Sequence, residues 1–332
     1  MNGSEVSALA GEGRFAGKLL HGAIEETHIS WVILSDRFAF KIKKPLRLSF
    51  LDFSTLPKRK RYCEKEVELN SRFSDIYLDV VPVRNERHMW TIGRGRGKIR
   101  DYAVRMKRMD SGKRMDVLLR NGKVTPAHIV ALSKSIAAFH TRAKIIQRDT
   151  GLSFLRTAFK DIRVIRPFVS RAFSHRFDAV LRKAPSWSDS FLRQHSARLK
   201  ERVALGYKRD LHGDLHSGNI FLGRKPVLFD CIEFNRHIDV IDEIAFFCMD
   251  LEAHGFKKFS RIFLEAYSGF LPPVLTPDDE EIFNYFRCYR ANVRAKVHAL
   301  SAMQESDRRQ YRKHLNAVRT YLILMEEYMS GE

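Results

Sequence analysis

Residues 210–220 have the sequence Asp-Leu-His-Gly-Asp-Leu-His-Ser-Gly-Asn-Ile, and residues 227–230 have the sequence Val-Leu-Phe-Asp. The first stretch is rich in polar side chains and glycine, which is typical of a loop. The apolar run before Asp230 predicts a short strand that ends at this aspartate. Asp214 and Asn219 stand five positions apart in the loop. The two stretches therefore supply carboxylate and amide groups at the end of a strand and in a turn.

These residue types at this spacing suit phosphoryl transfer. That reaction needs a carboxylate to orient the attacking hydroxyl group, and oxygen ligands for the magnesium ion that bridges the phosphates. Asp214 would supply the first, and Asn219 and Asp230 the second. The spacing H-x-D-x-x-x-x-N resembles the catalytic loop of kinases, and the later aspartate resembles their metal-binding residue.

Two other interpretations of the loop are weighed against this chemistry. In the first, Asp214, His216 and Asn219 only cap a turn. In the second, His212, Asp214 and His216 ligate a metal ion, but no fourth ligand at a suitable spacing accompanies them. Three spaced matches together with an aspartate on a strand favour the phosphoryl-transfer interpretation.

Composition indicates a globular protein of about two domains. The chain has 332 residues, 44% of them hydrophobic and 30% charged, which excludes a disordered chain. No apolar run approaches the roughly 18 residues needed to span a bilayer, and Met1–Gly13 lacks the features of a signal peptide. The 4 cysteines are scattered without a C-x-x-C pair. We therefore expect buried thiols in a reducing compartment, a cytoplasmic location and no membrane insertion.

The charge balance is strongly basic. Lys and Arg number 59 against 39 Asp and Glu, which gives a formal net charge of +20. Such a surface attracts polyanions, among them nucleic acid, anionic membranes and phosphorylated small molecules. No nucleic-acid recognition motif accompanies the charge, so nucleic acid is a secondary hypothesis for the partner.

The periodicity of the chain changes near residue 110. Before that point it indicates a sheet with one inserted helix: a hairpin over Trp31–Lys43, a helix over Lys58–Phe73, and strands over Val80–Val83, His88–Ile92 and Tyr102–Met106. We interpret Gly93–Gly97 as a hairpin turn. After Asp110 the pattern is helical. The expected division is a sheet-rich domain 1–109 and a helical domain 110–332, which contains the loop region 210–234.

The motif His212–Asn219 resembles the H-G-D-x-H-x-G-N signature of aminoglycoside phosphotransferase-like kinases. The resemblance extends from about His28 to the C-terminal helices and is greatest to an uncharacterised bacterial branch of that family. It rests also on Phe40–Pro45, Phe50–Ser54, Phe229–Phe234 and Arg290–Val297. Related chains in the branch often carry a second, P-loop domain, whereas this sequence has no G-x-x-x-x-G-K-[ST] and is expected to lack that half.

The resemblance implies an α+β fold, the two-lobed protein-kinase-like fold with a small antiparallel-sheet N-lobe and a mostly helical C-lobe. It further implies ATP and Mg²⁺ as cofactors. Asp214 would be the catalytic base, His212 would brace the loop, and Asn219 and Asp230 would hold Mg²⁺. The choice between ATP and GTP stays open at this point.

The family also places a lysine on the α- and β-phosphates, held by a carboxylate on a helix. Lys41 is the first candidate, because Ala39-Phe-Lys41 lies where V-A-I-K is expected, and Lys43 on the same strand face is the second. Glu66 is preferred over Glu64 and Glu68 as the partner, with an exposed helix charge as the alternative. The segment before Lys41 is expected to fold over the phosphates, but Thr27–Arg37 contains no glycine. Residues 106–109 fall at the hinge, where Met106 and Arg108 would contact the nucleotide.

The sequence indicates less about the acceptor. The resemblance implies transfer of the γ-phosphoryl group of ATP to a hydroxyl of a small molecule, but polycationic aminoglycosides match a basic enzyme poorly. Arg287, Arg290 and Arg294 form one helical stripe. They would bind an anionic acceptor if they face the site, or form a solvated face otherwise. Two alternative functions are a non-catalytic nucleotide-binding regulatory protein and a nucleic-acid-binding protein that uses its basic surface.

Overall fold

The computed structural model describes residues 1–48, 51–148, 152–173 and 175–331. The chain divides into two compact units. The first comprises Met1–Arg114, Phe221–Gly223 and Val227–Phe234. The second comprises the other described residues, including the C-terminal helix. Phe50, the first residue of the family-like segment Phe50–Ser54, lies outside the described residues.

The first unit is built on one twisted sheet with helices α1 and α2. Its helices are α1 (Gly3–Glu12) and α2 (Leu56–Asn70), and its strands are β1 (Arg14–Phe15), β2 (Lys18–Leu19), β3 (Ala23–Glu26), β4 (Ser30–Leu34), β5 (Phe38–Lys43), β6 (Arg47–Leu48), β7 (Leu51–Asp52), β8 (Tyr77–Glu86), β9 (Met89–Ile92) and β10 (Lys98–Lys107). The main sheet has the order β2-β1-β9-β8-β10-β5-β4-β3. Its long strands β8, β10, β5 and β4 are antiparallel neighbours.

The alternation along β5 decides what each face of the sheet packs against. Phe40 and Ile42 are fully buried in a core shared with Val6 and Leu9 of α1. Ala39 points to the other face, in a second core with Cys63 of α2. Successive side chains of a strand point to opposite faces, so Lys41 and Lys43 lie on the α2 side with Ala39. The sequence pattern predicts this alternation, but it does not predict α1 or the strands β1–β3.

The glycine-rich segment Gly93–Gly97 is not a hairpin turn, which corrects the sequence-based interpretation. It connects β9 with β10, and these two strands are separated in the sheet by β8. The chain must therefore pass over the end of β8. Gly97 has φ +93°, and a Cβ at this position would lie 2.6 Å from the backbone oxygen of Asn85 in β8. The glycine is needed for close passage, not for a tight two-strand turn.

The second unit is mostly helical. Its helices are α3 (Met115–Arg120), α4 (Pro126–Arg142), α5 (Ser153–Lys160), α6 (Arg166–Ala172), α7 (His175–Gln194), α8 (Ser196–Ala204), α9 (Val240–Ala253), α10 (Lys257–Ser268), α11 (Pro277–Gln304) and α12 (Arg308–Ser330). The short strands in the loop region are β11 (Lys208–Asp210), β12 (Ile220–Phe221), β13 (Val227–Leu228) and β14 (His237–Asp239). Phe221 of β12 and both residues of β13 belong to the first unit. Within the described ranges, no helix is both long and apolar enough to cross a membrane.

Helix α9 forms the centre of the helical unit. Every residue from Val240 to Glu252 is buried, which is typical of a helix surrounded by others. Neighbouring helices α10 and α11 pack against it. Buried carboxylates on such a helix must find partners, because an unpaired charge in the interior costs several kcal/mol. The partners they find determine the geometry of the loop described below.

The segment Val227–Phe234 packs with the sheet rather than with the helices. The sequence-based division assigns all of 210–234 to the helical domain. The difference has a local cause: the backbone N–H of Cys231 donates to Asn70 Oδ1 of α2 at 2.8 Å, and Lys43 of β5 pairs with Glu233 at 2.6 Å. These contacts join sequence-distant residues, so the sequence pattern alone does not reveal them.

The fully buried Arg202 of α8 generates a first prediction. Its guanidinium pairs with Asp239 through two bonds of 2.8 Å and with Asp279 at 2.9 Å. The change Arg202→Ala removes the arginine partner of Asp239, whereas Asp279 keeps Arg198 at 2.6 Å, so we expect a loss of about 3 kcal/mol in the free energy of unfolding, measured by urea denaturation. Lys200→Ala on the exposed side of the same helix is the control and should change stability by less than about 0.5 kcal/mol. Equal effects of the two changes would contradict the structural role of Arg202.

Candidate active site

The first unit brings Lys41, Glu66 and Asp230 together. Lys41 Nζ lies 2.8 Å from Glu66 Oε1 and 2.5 Å from Asp230 Oδ1. Burial alone would lower the pKa of Lys41, but the negative charges of Asp230 and Glu66 outweigh burial and raise it well above its ordinary value. Lys41 is therefore a permanent cation held between two carboxylates, one on α2 and one at the end of β13.

The second candidate lysine, Lys43, shares the same glutamate. Its Nζ lies 2.7 Å from Glu66 Oε2 and 2.6 Å from Glu233 Oε1. Glu66, which is 1% exposed, thus gives one oxygen to each lysine. Burial raises the pKa of Glu66, but Lys41 and Lys43 more than offset burial and bring it to about 2. Lys41 differs from Lys43 in contacting Asp230, whereas Lys43 is almost completely enclosed.

Asp230 is placed by its backbone and by two side chains of the first unit. Its φ of +61° lies in the left-handed region, which aspartate tolerates better than most residues. Its N–H donates to the Tyr77 hydroxyl at 3.0 Å, and Asn70 accepts from the next N–H, that of Cys231. The Asp230 side chain is 43% exposed. The chain therefore presents this carboxylate to solvent while it anchors the backbone on both sides.

In the second unit, the loop over 212–219 is tied to α9 and α11 through its backbone. The N–H of Gly213, a residue with φ +81°, donates to Glu243 Oε1 at 2.5 Å. Its carbonyl accepts from Arg290 Nη1 at 3.2 Å. The N–H of Ser217 donates to Asp250 Oδ2 at 2.8 Å. Both ends of the loop are thus held by charged groups of the helical core.

Glu243 is oriented by a chain of buried hydrogen bonds. Its other oxygen lies 2.7 Å from His140 Nε2, and His140 Nδ1 lies 2.7 Å from the Tyr267 hydroxyl. Burial raises the pKa of Glu243, but the bond to His140 and the positive charges near it hold the pKa below its ordinary value. The carboxylate that receives the Gly213 N–H is consequently ionised, and charge-assisted hydrogen bonds of this kind are stronger than neutral ones.

Asp214 stands in the middle of this loop, with its side chain 35% exposed. Asn219 Nδ2 donates to Asp214 Oδ2 and to its backbone oxygen, at 3.0 Å each, and His216 Nε2 lies 3.6 Å from the carboxylate. Burial raises the pKa of Asp214, but His216, Arg294 and His212 outweigh burial and hold it well below the ordinary value. The carboxylate is therefore ionised at neutral pH and keeps its capacity to accept a hydrogen bond.

The structure brings His212, Asp214 and Asn219 into one loop. His212 is completely buried, and its Nδ1 accepts the N–H of Asp214 at 3.3 Å. A buried ring that receives the backbone of the next-but-one residue stabilises the local turn, which is compatible with a bracing role. The capping interpretation holds for His216, whose Nδ1 accepts the Gly218 N–H at 3.1 Å.

The two nucleotide-contact candidates near residue 107 differ in environment. Met106 is 8% exposed and packs in the core beside α2 with Cys63 and Val104. Arg108 is exposed, and its Nη1 donates to the carbonyl of Ser35 at 2.8 Å. That bond ties the end of β10 to the β4–β5 turn. The backbone N–H of Arg108 also donates, to the carbonyl of Arg37 at 3.0 Å, so a nucleotide contact of this residue would use its backbone carbonyl.

The oxygen atoms of Asn219 and Asp230 are chemically suited to Mg²⁺, which prefers carboxylate and carbonyl oxygen. Because Asn219 uses its amide nitrogen on Asp214, its amide oxygen is the atom that can ligate a cation. Asp230 offers an exposed carboxylate. Among the described residues, no three or more His, Cys, Asp or Glu side chains form a group that could hold a metal ion, so His212, Asp214 and His216 do not form one.

The arginine stripe of α11 is not a solvated face. Arg287 pairs with Glu252 at 2.9 Å, and Arg290, which is 8% exposed, pairs with Asp242 at 2.6 Å. Both carboxylates belong to α9. The charge of Arg294 contributes to the low pKa of Asp214. Two of the three arginines thus hold the helical core together, and the third acts electrostatically on the loop.

Sequence reasoning does not identify several residues that position the site. Glu243 and Asp250 hold the loop, and the signal for them was present: carboxylates recur inside the otherwise apolar run Val240–Ala253. Asn70 and Tyr77 hold the backbone around Asp230. For these two no sequence signal exists, because their partners are more than 150 positions away in the chain.

The buried Glu66 predicts a specific pH dependence of stability. Its pKa is lowered from 4.5 to about 2 in the folded chain, so its contribution is complete above pH 4.5 and is lost as the pH falls through about 2. We expect Glu66→Gln to reduce the free energy of unfolding by about 3 kcal/mol at pH 7 and by progressively less below pH 4.5, as measured by urea denaturation at a series of pH values.

Glu64→Gln is the matched control for this measurement. Glu64 lies on the same helix, its side chain is 55% exposed, and it pairs with Lys60 at the surface. Its replacement should change stability by less than about 0.5 kcal/mol at every pH. A deficit of the Glu66 variant that does not vary with pH would show that the carboxylate is not held ionised by the lysines.

Curated relatives of the chain are named as uncharacterised proteins. No protein-family model matches it. It is 31% identical over 294 residues to uncharacterised proteins of Mycobacterium tuberculosis and Mycobacterium bovis. The matched region covers 85% of this chain and 55% of those proteins. The chain therefore spans about half the length of the curated relatives that it matches.

Several solved structures similar to the chain are of proteins named as kinases or phosphotransferases. They include choline kinase from Cryptosporidium parvum Iowa II (TM-score 0.59, 11% identity, 99% of this chain and 97% of that chain) and a choline/ethanolamine kinase family protein from Mesorhizobium loti (0.52, 10%, 97% and 98%). A mutant aminoglycoside 2'-phosphotransferase-IIIa in complex with GDP is also similar (0.50, 12%, 93% and 91%). These similarities span nearly the whole chain. The chain has the protein-kinase-like fold that choline/ethanolamine kinases and aminoglycoside phosphotransferases share.

Proposed function

We propose that this chain is an ATP-dependent phosphotransferase that moves the γ-phosphoryl group to a hydroxyl of a small molecule. The observation that carries the proposal is the state of Asp214, which is ionised, partly exposed and oriented by Asn219 in a loop anchored to the helical core. The fold supports the proposal as well, because the similar structures are of proteins named as kinases and phosphotransferases that act on small molecules.

In the proposed reaction, Asp214 accepts the proton of the acceptor hydroxyl. The hydroxyl oxygen forms a new bond to the γ-phosphorus, the bond from that phosphorus to the β–γ bridging oxygen breaks, and ADP leaves with the electron pair. Since Asp214 is a weak base at neutral pH, its main contribution is to orient the hydroxyl rather than to deprotonate it before attack. His212 and Asn219 keep the carboxylate in place.

Lys41 is proposed to bind the α- and β-phosphates. Its contact with Asp230 distinguishes it from Lys43, whose enclosed Nζ already has Glu66 and Glu233 as partners. Glu66 would keep Lys41 pointed in one direction while it balances both lysine charges. Met106 and Arg108 are proposed to lie beside the base of the nucleotide, with Arg108 acting through its backbone.

Asn219 and Asp230 are proposed to hold Mg²⁺, which when bound would neutralise the charge of the phosphates. The exposed carboxylate of Asp230 and the amide oxygen of Asn219 are hard oxygen donors. Both residues have their other polar atoms engaged, Asp230 with Lys41 and Asn219 with Asp214. Loss of either should weaken the nucleotide binding that depends on the metal.

The change Asp214→Asn should test the catalytic proposal. It removes the acceptor for the hydroxyl proton but keeps the size of the side chain, so we expect at least a hundredfold loss of acceptor-dependent ADP formation with unchanged affinity for ATP. Asp278→Asn, an exposed change in the first turn of α11, is the control and should leave both quantities unchanged. Retained turnover in the Asp214 variant would remove this residue as the base.

Thermal unfolding with nucleotide should test the binding proposal independently of turnover. A ligand at a hundred times its dissociation constant stabilises a protein by about 2.7 kcal/mol, which shifts the midpoint by a few degrees. We expect ATP and Mg²⁺ together to produce such a shift in the wild type, and Asp230→Asn to reduce it. A shift that is absent in the wild type would favour a non-catalytic protein, and tight salt-dependent binding of nucleic acid would favour the basic-surface alternative.

A further inference from the structure

Arg294 differs from the other two arginines of its stripe. Arg287 and Arg290 each form an ion pair with a carboxylate of α9. Arg294 has no carboxylate within ion-pair distance in the part of the chain that the structure describes, and its buried Nε has no hydrogen-bond acceptor there. The side chain is only partly buried. A guanidinium has five N–H donors, and Arg294 uses some of them on the side chains of His298 and Tyr321, so part of its hydrogen-bonding capacity is left for another partner.

Two histidines orient this guanidinium. Arg294 Nη2 lies 3.3 Å from His298 Nε2, one turn along α11, and His298 Nδ1 lies 3.0 Å from His314 Nδ1 on α12. Arginine only donates, so His298 accepts at Nε2 and carries its proton on Nδ1, which donates to His314. His314 then carries its proton on Nε2. The chain of bonds leaves an N–H of His314 and the remaining donors of Arg294 for another partner.

The charges of this group are settled by its surroundings. Burial and the charge of Arg294 lower the pKa of His298 to about 3, and burial lowers the pKa of His314 as well. Both rings are therefore neutral at pH 7. Burial opposes the charge of Arg294, but the side chains of Tyr321, Asp214 and Asp250 raise its pKa above the ordinary value. The group is thus a single stable cation with neutral donors beside it.

Of the two carboxylates that act on Arg294, one has an anchoring role already. Asp250 accepts the N–H of Ser217, and it is 2% exposed. Asp214 is the proposed catalytic base, and its interaction with Arg294 is electrostatic rather than a direct pair. Arg294 therefore adds positive charge to the surroundings of Asp214, and its direct partners Tyr321 and His298 do not neutralise that charge.

We propose that Arg294, with His298 and His314, binds an oxyanion group of the acceptor, a carboxylate or a phosphate, while the hydroxyl of the same molecule lies at Asp214. This inference rests on the proposed phosphotransferase function and adds the class of acceptor. The guanidinium fork matches the paired oxygens of either group. An anionic acceptor would be repelled by the Asp214 carboxylate and by the phosphates of ATP, and Arg294 offsets that repulsion. A cationic acceptor would meet an unpaired like charge.

The test compares four hydroxyl compounds in the same protein: glycerate, glycerol 3-phosphate, glycerol and choline. Binding is measured by calorimetry in the presence of Mg²⁺ and a non-hydrolysable ATP analogue, and turnover by ADP formation with ATP. We expect one of the two anionic compounds to bind and to accelerate ADP formation. The affinities for glycerol and choline should be at least tenfold lower. The carboxylate and phosphate arms identify which oxyanion is preferred.

Arg294→Met should lower the affinity for the anionic compound at least tenfold, because methionine has a side chain of similar length without the positive charge. Arg294→Lys, which keeps the charge and loses the fork, should have an intermediate effect, so it distinguishes loss of charge from damage to the helix. Arg309→Met, an exposed change on α12, is the matched control and should have no effect. Affinity for the ATP analogue should be the same in all four proteins, which checks that each is folded, and ADP formation without acceptor should be unchanged in Arg309→Met.

The outcomes separate this inference from the proposed function. Failure of the wild type to bind the ATP analogue with Mg²⁺ would count against the phosphotransferase proposal itself. Normal nucleotide binding together with a preference for choline or glycerol, or with no binding of either anionic compound, would overturn the anionic-acceptor inference alone. Equal affinity of the anionic compound for wild type and Arg294→Met would also overturn it.

Discussion

The carboxylates of the buried helix α9 are the constraint on which the helical unit depends. Ionised groups cannot remain unpaired in an interior, and on α9 they are satisfied by the backbone of the loop and by the arginines of α11. Glu243 binds the N–H of Gly213, and Asp250 binds that of Ser217. The core therefore dictates the conformation of the loop in which Asp214 lies, and the apolar packing around α9 indirectly sets the position of the reactive carboxylate.

In the sheet unit, one buried carboxylate forms ion pairs with two lysines. Glu66 divides its oxygens between Lys41 and Lys43, and each lysine has a second carboxylate from the segment after β13. Of these carboxylates only that of Asp230 is substantially exposed. The enclosed part of the network, Glu66 with Lys43 and Glu233, therefore stabilises the packing of α2 on the sheet. The exposed part is the carboxylate of Asp230, which pairs with Lys41.

Much of the fold could be predicted from sequence, because its signals are local. The alternation in β5, the hairpin around Asp36 and the helix before Phe73 follow from period and turn residues, and the motif around Asp214 indicates the fold. What could not be predicted depends on contacts between distant residues: the crossing of β8 by the chain at Gly97, and the packing of Val227–Phe234 with the sheet. The sequence ranks Lys41 above Lys43 only by its likeness to V-A-I-K, since both lie on one strand face; in the structure the contact of Lys41 with Asp230 distinguishes them.

The attachment of Gly213 through both its N–H and its carbonyl has a consequence for the entropy of the reaction. A loop that is bonded to buried ions on either side cannot open unless the helices around it also separate, so its backbone amides should exchange hydrogen with solvent only in globally opened molecules. The conformational freedom of the Asp214 backbone is then removed when the chain folds, not when a substrate arrives. Binding energy is correspondingly available to orient the reacting molecules themselves.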